Sequence, residues 1–284
     1  MIIMQLNNYK KKCIIGFTGF IGKNITKQIN FDDYYNSKNI NDIKMKTYDL
    51  IFFCGTPGSQ FYANLYPEKD TKIINDLIKI FSTVKCSKFV LISTVCVFDK
   101  SIKKSVKYGN INNENLNVYG KNRLLFENFV INEYSDHHVI RLPQTYGKNF
   151  SKGLLYDYIT RNKYINKYVL SDRIQLYSIE DLVNDLNKII NNKIKIINLV
   201  PEPTEVKKIV KCFSNYTIID NENIKYNNKN IKLHHRENNI HVTTKYNYIF
   251  SNNGLNYQPY IYNENTSLKK IKKFIQSEIN IKDS

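Results

Sequence analysis

The sequence lacks any apolar run long enough to cross a bilayer, and its first residues lack the basic region, sustained apolar stretch and small-residue cleavage site of a secretory signal. The expectation is a soluble chain in a cytosolic setting, with no membrane partner. Cys-x-x-Cys pairs are missing too. The five cysteines, Cys13, Cys54, Cys86, Cys96 and Cys212, fall mostly inside apolar runs, which suits reduced core residues better than a disulfide framework. His137, His138, His234, His235 and His241 form neither a His-Glu-x-x-His motif nor a Cys/His ligand set, so no metal site is expected. Arginine is scarce, at five of the 42 basic residues, and against only 25 acidic residues the formal charge is +17. The lysines are nevertheless scattered among asparagines without a basic block, whereas nucleic-acid surfaces gather Lys and Arg on one face. The surplus therefore argues for compositional bias and against a nucleic-acid partner. Ala63 is the one alanine, Gly and Pro number only 10 and 6, and Asn, Lys, Ile and Tyr crowd every segment. No internal repeat or linker divides the 284 residues, a length that suits one or two domains.

What is present is an alternation of strand and helix signals. Cys13-Ile14-Ile15 leads into Gly16-Phe17-Thr18-Gly19-Phe20-Ile21-Gly22 and then into helical spacing from Lys23 to Ile29. The runs Asp49–Cys54 and Lys88–Phe98 read as strands buried on both faces, as parallel sheets require. Between them, Ile73, Ile74, Leu77, Ile78 and Phe81 recur at helical intervals within 70–84. A further helix over 119–134 and a strand over 139–142 extend the doubly wound pattern to about residue 147. Beyond it lie amphipathic segments at 154–161, 179–190 and 204–213, short strands near Gln175 and Ile196, and a last helix over 266–279. Residues 221–239 are rich in Asn and Lys and read as a loop or irregular hairpin.

Gly16-x-x-Gly19-x-x-Gly22 has the spacing by which a turn between strand and helix lets a pyrophosphate approach bare backbone. A simple tight turn is the bland alternative; the strand before, the helix after and the further units downstream favour dinucleotide binding. The end of the second strand decides which dinucleotide. If that strand covers 34–36, its end presents Asn36, Ser37 and Lys38, which suit a 2′-phosphate and NADP; if it ends earlier, Asp33 suits the ribose of NAD.

Five features together resemble the extended short-chain dehydrogenase/reductase family, the NAD-dependent epimerases, dehydratases and ketoreductases of nucleotide sugars. They are the glycine turn, the strand end Leu91-Ile92-Ser93-Thr94-Val95-Cys96-Val97-Phe98, the segment Tyr119-Gly120-Lys121-Asn122-Arg123, the run Ile140-Arg141-Leu142-Pro143-Gln144-Thr145-Tyr146-Gly147, and Leu176-Tyr177-Ser178-Ile179-Glu180-Asp181-Leu182. The resemblance implies an α/β fold, a doubly wound parallel (Rossmann-like) sheet with a smaller C-terminal substrate-binding lobe. Residues 1–147 would form the dinucleotide-binding domain and 148–284 the lobe, with strand and helix contributions to the first from about 174–200.

It also implies the site. Tyr119 matches the general acid/base tyrosine, whose phenol must be brought down from about 10 by a nearby cation. Thr94, with Ser93 beside it, matches the Ser/Thr that bonds the reacting oxygen. The family's lysine four residues after the tyrosine is Arg123 here, which keeps the charge but not a lysine's proton exchange. Lys121, two residues along the helix, points elsewhere. The cofactor surface implied is Gly16, Gly19, Phe20, Ile21, Gly22, Asn36, Ser37, Lys38, Cys54, Gly55, Ser93, Tyr119 and Arg123. Gln144 stands where relatives touch the sugar diphosphate, and Arg173, with Lys148 and Lys152, supplies cations for a nucleotide diphosphate unless the lysines are only a solvated face. The activity implied is that of an epimerase or ketoreductase on a nucleotide-linked sugar, since Val95 and Cys96 follow Thr94 where dehydratases carry an acid. The alternative is a dinucleotide-binding regulatory protein with altered chemistry. Relatives often pair as homodimers, which would here use the helices around Ile73 and Leu124.

Overall fold

The computed structural model describes residues 9–98, 115–161, 165, 168–213, 242, 244, 250 and 260–280. The Asn/Lys-rich stretch 221–239 lies outside them. Six parallel strands form the central sheet: β1 (Lys12–Ile15), β2 (Asp33–Tyr35), β3 (Thr47–Phe53), β4 (Lys85–Thr94), β5 (His137–Leu142) and β9 (Ile196–Asn198), ordered β2-β1-β3-β4-β5-β9. The register pairs Ile15 with Tyr35 on one side and with Phe53 on the other. A six-stranded sheet of the commonest dinucleotide-binding order carries two strands on the far side of β1; among the described residues that side carries β2 alone here.

Alternation along the strands divides the core in two. Ile14, Leu50, Phe52, Val90, Ile92 and Ile140 face one side, joined by Ile25 and Ile29 near α1 (Phe20–Ile25) and by Leu182, Val183, Leu186 and Ile189 of α6 (Leu182–Asn191). Cys13, Ile15, Ile51, Phe53, Phe89, Leu91 and Val139 face the other, beneath Ile74, Leu77 and Phe81 of α3 (Pro67–Phe81) and Phe126 and Val130 of α4 (Val118–Glu133). A period of two on strands and 3.6 on helices produces this division. The helix α1 is shorter than its apolar spacing suggests, because Asn24 and Thr26 are weak helix formers and the chain turns after Ile25 while still burying Ile29. A short helix α2 (Gln60–Leu65), capped by Ser59, precedes α3 and carries no signal strong enough to be read in advance.

The smaller lobe has its own core, built from Tyr146 of β6 (Gln144–Tyr146), Leu154 and Tyr158 of α5 (Leu154–Ile159), Leu176 of β8 (Leu176–Ser178), Val206 and Ile209 of α7 (Val206–Lys211) and Ile271, Phe274 and Ile275 of α8 (Glu264–Asn280). Strands β6 and β8 pair in parallel, and β7 (Arg173–Ile174) pairs antiparallel with β10 (Thr204–Glu205). The chain returns from this lobe to the main sheet through α6 and β9. All five cysteines are unpaired. Among the described residues no helix is long and apolar enough to cross a membrane.

Candidate active site

In an open parallel sheet, ligands lie beyond the carboxyl ends of the strands, at the point where the strand order reverses. That point falls between β1 and β3. Gly16 follows β1 with φ of +87°, and a Cβ on it would stand 2.5 Å from the Cys54 carbonyl oxygen; a Cβ on Gly22 would stand 2.2 Å from the Gly16 carbonyl. These two glycines let strand, turn and helix close on one another. Gly19 differs: its φ is ordinary, it is exposed, and a Cβ there would meet only the Gly16 carbonyl at 3.3 Å. Gly19 at the N-cap has no side chain to cap α1, and the amides of its first turn, from Phe20 to Gly22, have no intrahelical partners. A six-residue helix adds little dipole; the open amides and the missing Cβ carry the argument that a pyrophosphate fits here.

Strand β2 ends at Tyr35, so the next residues are Asn36, Ser37 and Lys38. The Asn36 side-chain oxygen accepts the Lys38 backbone amide at 2.8 Å and the Asn36 backbone amide donates to the Asn39 side-chain oxygen at 2.7 Å, which fixes the loop and leaves Ser37 and Lys38 exposed. Asp33 begins the strand, and its carboxylate accepts the Tyr48 hydroxyl at 2.5 Å; Tyr48 in turn meets the Tyr35 hydroxyl, which accepts from Lys46. Asp33 is therefore at the wrong end to meet a ribose. Cys54 follows β3, and its thiol donates to the Ile15 carbonyl at 3.1 Å, with burial pushing its pKa up to about 12. A Cβ on Gly55 would stand 2.5 Å from the Ile15 side chain.

Thr94 ends β4 and its hydroxyl accepts the Cys96 amide at 3.1 Å, opening the short 3-10 turn over 95–97. Gly120 permits α4 to approach this turn, since a Cβ there would lie 2.4 Å from the Cys96 carbonyl. Asn117 caps the helix by accepting the Gly120 amide at 2.9 Å. The consequence is that Tyr119, 8% exposed, is set beside the turn that Thr94 opens. Its backbone amide donates to Asn64 of α2 at 3.3 Å.

Ser93 points the other way. Its hydroxyl donates to the fully buried Glu127, which also receives Arg141 of β5 at 2.6 Å. Successive strand residues face opposite sides, so Ser93 belongs to this ion-pair network while Thr94 belongs to the site edge. Arg123 shares a helical face with Tyr119 and Glu127. Its two terminal nitrogens each donate to Asp70 of α3 at 2.9 Å, one of them also to the Pro57 carbonyl at 2.6 Å, and its Nε is buried without a hydrogen-bond partner among the described residues. Asn122 donates to the same carboxylate at 2.8 Å. The guanidinium carbon sits 4.3 Å from the centre of the Tyr119 ring. Burial, followed by Cys96, raises the phenol's pKa, and the opposing pull of Arg123 and Thr94 is smaller. The phenol is therefore not brought toward neutrality, which the resemblance had led one to expect. Lys121 is exposed.

On the lobe side, Gln144 packs its amide over Gly153, whose φ is +102° and whose Cβ, if present, would collide with it. Lys148 offers its carbonyl to Asn24 of α1 at 3.1 Å, and the Lys152 ammonium donates to the Gly58 carbonyl at 2.6 Å, so both residues tie the lobe's entrance to the sheet edge. Arg173 donates to the Pro203 carbonyl at 2.6 Å and pairs with Glu264 at 3.5 Å, within the lobe's own framework. Sequence reading missed Asp70, Gly120 and Glu127. Nothing marks Asp70 among neighbouring charges. Glu127 stands eight residues after Tyr119, on the same helical face, and Gly120 stands beside the key tyrosine, so both carried a legible signal.

No family model matches the sequence, and no curated protein matches it. Solved structures do. A dTDP-4-dehydrorhamnose reductase from Clostridium acetobutylicum is 17% identical with a TM-score of 0.59, covering 96% of this chain and 100% of that one. A UDP-N-acetylglucosamine 4-epimerase from Methanobrevibacter ruminantium, solved with UDP-N-acetylmuramic acid, is 12% identical with a TM-score of 0.66 and covers 95% and 98%. The Pseudomonas aeruginosa protein RMD, solved with NADPH, is 12% identical with a TM-score of 0.55 over 72% and 83%. The chain has the fold these proteins share, a parallel sheet wound on both faces with a second, smaller lobe.

Proposed function

We propose that the chain is an NAD(P)-dependent oxidoreductase acting on a nucleotide-linked sugar, an epimerase or ketoreductase. The observation that carries this reading is the packing of the start of α4, with Tyr119, against the turn that Thr94 opens at the carboxyl edge of the sheet, on the same edge as an uncapped glycine turn at the switch point. Proteins of the same fold act on nucleotide sugars and one is solved with NADPH. The turn from Gly16 to Gly22 would hold the pyrophosphate, and the exposed Ser37 and Lys38 would favour the 2′-phosphate of NADP. When bound, the nicotinamide supplies a hydride to, or takes one from, the reacting sugar carbon. Thr94 would orient the sugar oxygen and Tyr119 would give or take its proton. Arg123, committed to Asp70 and Pro57, would hold the Tyr119 ring in place rather than grip the ribose. Gln144 and the cations Lys148, Lys152 and Arg173 stand on the lobe that would receive the sugar nucleotide.

Mass analysis of the dinucleotide that copurifies, followed by turnover assays with keto and hydroxy nucleotide sugars, tests this reading. Tyr119→Phe should lower turnover by about 10²–10⁴-fold, the usual loss on removing a general acid or base, while dinucleotide affinity stays within threefold of the parent, about 0.7 kcal/mol. A protein that binds dinucleotide but turns over none of these sugars would instead be a binding or regulatory protein, a reading to which the locked Arg123 lends weight. We propose also that two copies pair through the outer faces of α3 and α4. Leu124 is buried, so the exposed apolar residues there are Ile73 and Leu125.

A further inference from the structure

We propose that Asp70 is a positioning residue for proton transfer: by clamping the Arg123 guanidinium over the face of Tyr119 and cancelling its charge, it keeps Tyr119 a proton donor and sets the site to reduce a sugar carbonyl. This rests on the function proposed above and narrows it to the reductive direction.

The geometry is specific. Asp70 lies in the first turn of α3, is 1% exposed, and receives both terminal nitrogens of Arg123 in a two-pronged contact. Asn122 holds the same carboxylate from the side, and the Pro57 carbonyl holds the guanidinium from the turn after β3. The guanidinium gripped in this way is held over the Tyr119 ring, its carbon 4.3 Å from the ring centre. Among the described residues the groups facing the phenol are few. Its own helix supplies Arg123, the end of β4 supplies the neutral Thr94, the turn after β4 supplies Cys96, α2 supplies the neutral Asn64 against its backbone, and α3 acts through Asp70. The one cation among these described groups arrives already paired, so little among them remains to stabilise a phenolate.

A protonated phenol serves one direction of the reaction. In reduction the Tyr119 O–H bond breaks as the carbonyl carbon receives the hydride that a bound, reduced nicotinamide dinucleotide would supply. The electron pair of the C=O bond takes the proton to form the alcohol, and the tyrosine oxygen regains a proton from water. Oxidation needs the phenolate first, and burial with a neutralised cation makes that form scarce near neutral pH.

The test uses full-length protein with ¹³Cζ-labelled tyrosine, the Tyr119 resonance being identified by its loss in Tyr119→Phe. In the parent it should keep its phenol shift to about pH 10, the value of a free phenol. Asp70→Asn should move its midpoint down by about one unit or more as the cation is unmasked, and the double replacement Asp70→Asn with Arg123→Gln should return it to the parent position. A parent resonance titrating below about pH 9, or an unmoved midpoint in a folded Asp70→Asn, overturns the proposal. Should Asp70→Asn not fold, the parent decides through its titration and its rates. Reduction should be flat from about pH 6 to 9, and oxidation should rise about tenfold per unit over the same range; oxidation that levels off near pH 7 overturns the proposal. A Tyr119 that titrates as expected in a protein without sugar turnover defeats the proposed function and leaves the clamp standing.

Discussion

At the scale of single residues, the three glycines of the turn do different work, and substitution separates them. A methyl on Gly22 would stand 2.2 Å from the Gly16 carbonyl, a backbone atom that cannot move aside. Gly22→Ala should therefore cost more than the ~1–3 kcal/mol of an ordinary overpacked core, read as a lower unfolding midpoint in urea. Gly19→Ala meets the same carbonyl at 3.3 Å from an exposed position with ordinary φ. It should fold nearly as well as the parent yet weaken dinucleotide binding, because its Cβ takes the place a pyrophosphate would need. Calorimetric titration with NADP and NAD measures this directly; unchanged affinity in Gly19→Ala would place the phosphates elsewhere. The glycine spacing was legible in the sequence because backbone geometry forces it. Ser93 and Thr94 were legible as a pair, but only strand alternation tells which of them faces the site, and the Ser93 bond to Glu127 depends on a residue 34 positions away. Asp70 was invisible for the same reason: its partner lies 53 positions off on another helix, and no local pattern encodes that meeting.

At the scale of elements, two buried groups give the fold opposing responses to pH. His138 on β5 faces the Ile194 carbonyl with Nδ1 at 2.6 Å and the Lys88 ammonium with Nε2 at 3.2 Å, which fits a neutral ring donating from Nδ1 and accepting at Nε2. Burial lowers its pKa from 6.5 to about 4. Between those values the unfolded chain holds the extra proton, so this group makes stability rise with pH. Asp185 on α6 accepts the Tyr177 hydroxyl at 2.8 Å, and burial, aided by the nearby Asp181 charge, lifts it from 3.8 to about 7. There the folded chain holds the extra proton, so this group makes stability fall as pH rises through that window. At about 1.4 kcal/mol per unit, each amounts to a few kcal/mol, and their sum is a shallow slope. His138→Gln should leave a chain that loses stability from about pH 4 to 6.5, and Asp185→Asn one that gains it and is more stable than the parent at pH 8, as judged by urea midpoints across that range. Equal slopes in the two variants would contradict both assignments. Asp136, held down to about 2 chiefly by Lys195 and Lys88 against the effect of its burial, adds a further loss only in stronger acid.

At the scale of the whole molecule, the alternating strands and helices foretold a doubly wound sheet, and their buried faces account for the two apolar layers on either side of it. The lobe was harder to read, because its strands are two or three residues long and pair across large gaps, as β7 does with β10. The same scale governs association. Ile73 is 37% exposed and Leu125 43%, with Leu65 at 54% and Phe61 at 75% on the neighbouring α2. Exposed apolar side chains on these helices, on a surface that also carries charged residues such as Lys72 and Asp76, have the mixed character of a protein interface. Against pairing stands the charge of +17 on each copy, which repels at long range and is screened within about 8 Å at physiological salt. The dimer should therefore strengthen as salt is raised from about 0.01 to 0.15 M, where the screening length falls from ~30 to ~8 Å, the reverse of what an interface held by ion pairs would do. Sedimentation equilibrium across that range measures it. Leu125→Lys together with Ile73→Lys, which removes apolar contact and adds two more charges, should leave a monomer at all salt concentrations while the tertiary fold, reported by near-ultraviolet circular dichroism, is unchanged. A parent chain that stays monomeric throughout, or a double variant that still pairs, would remove these two helices from any account of assembly.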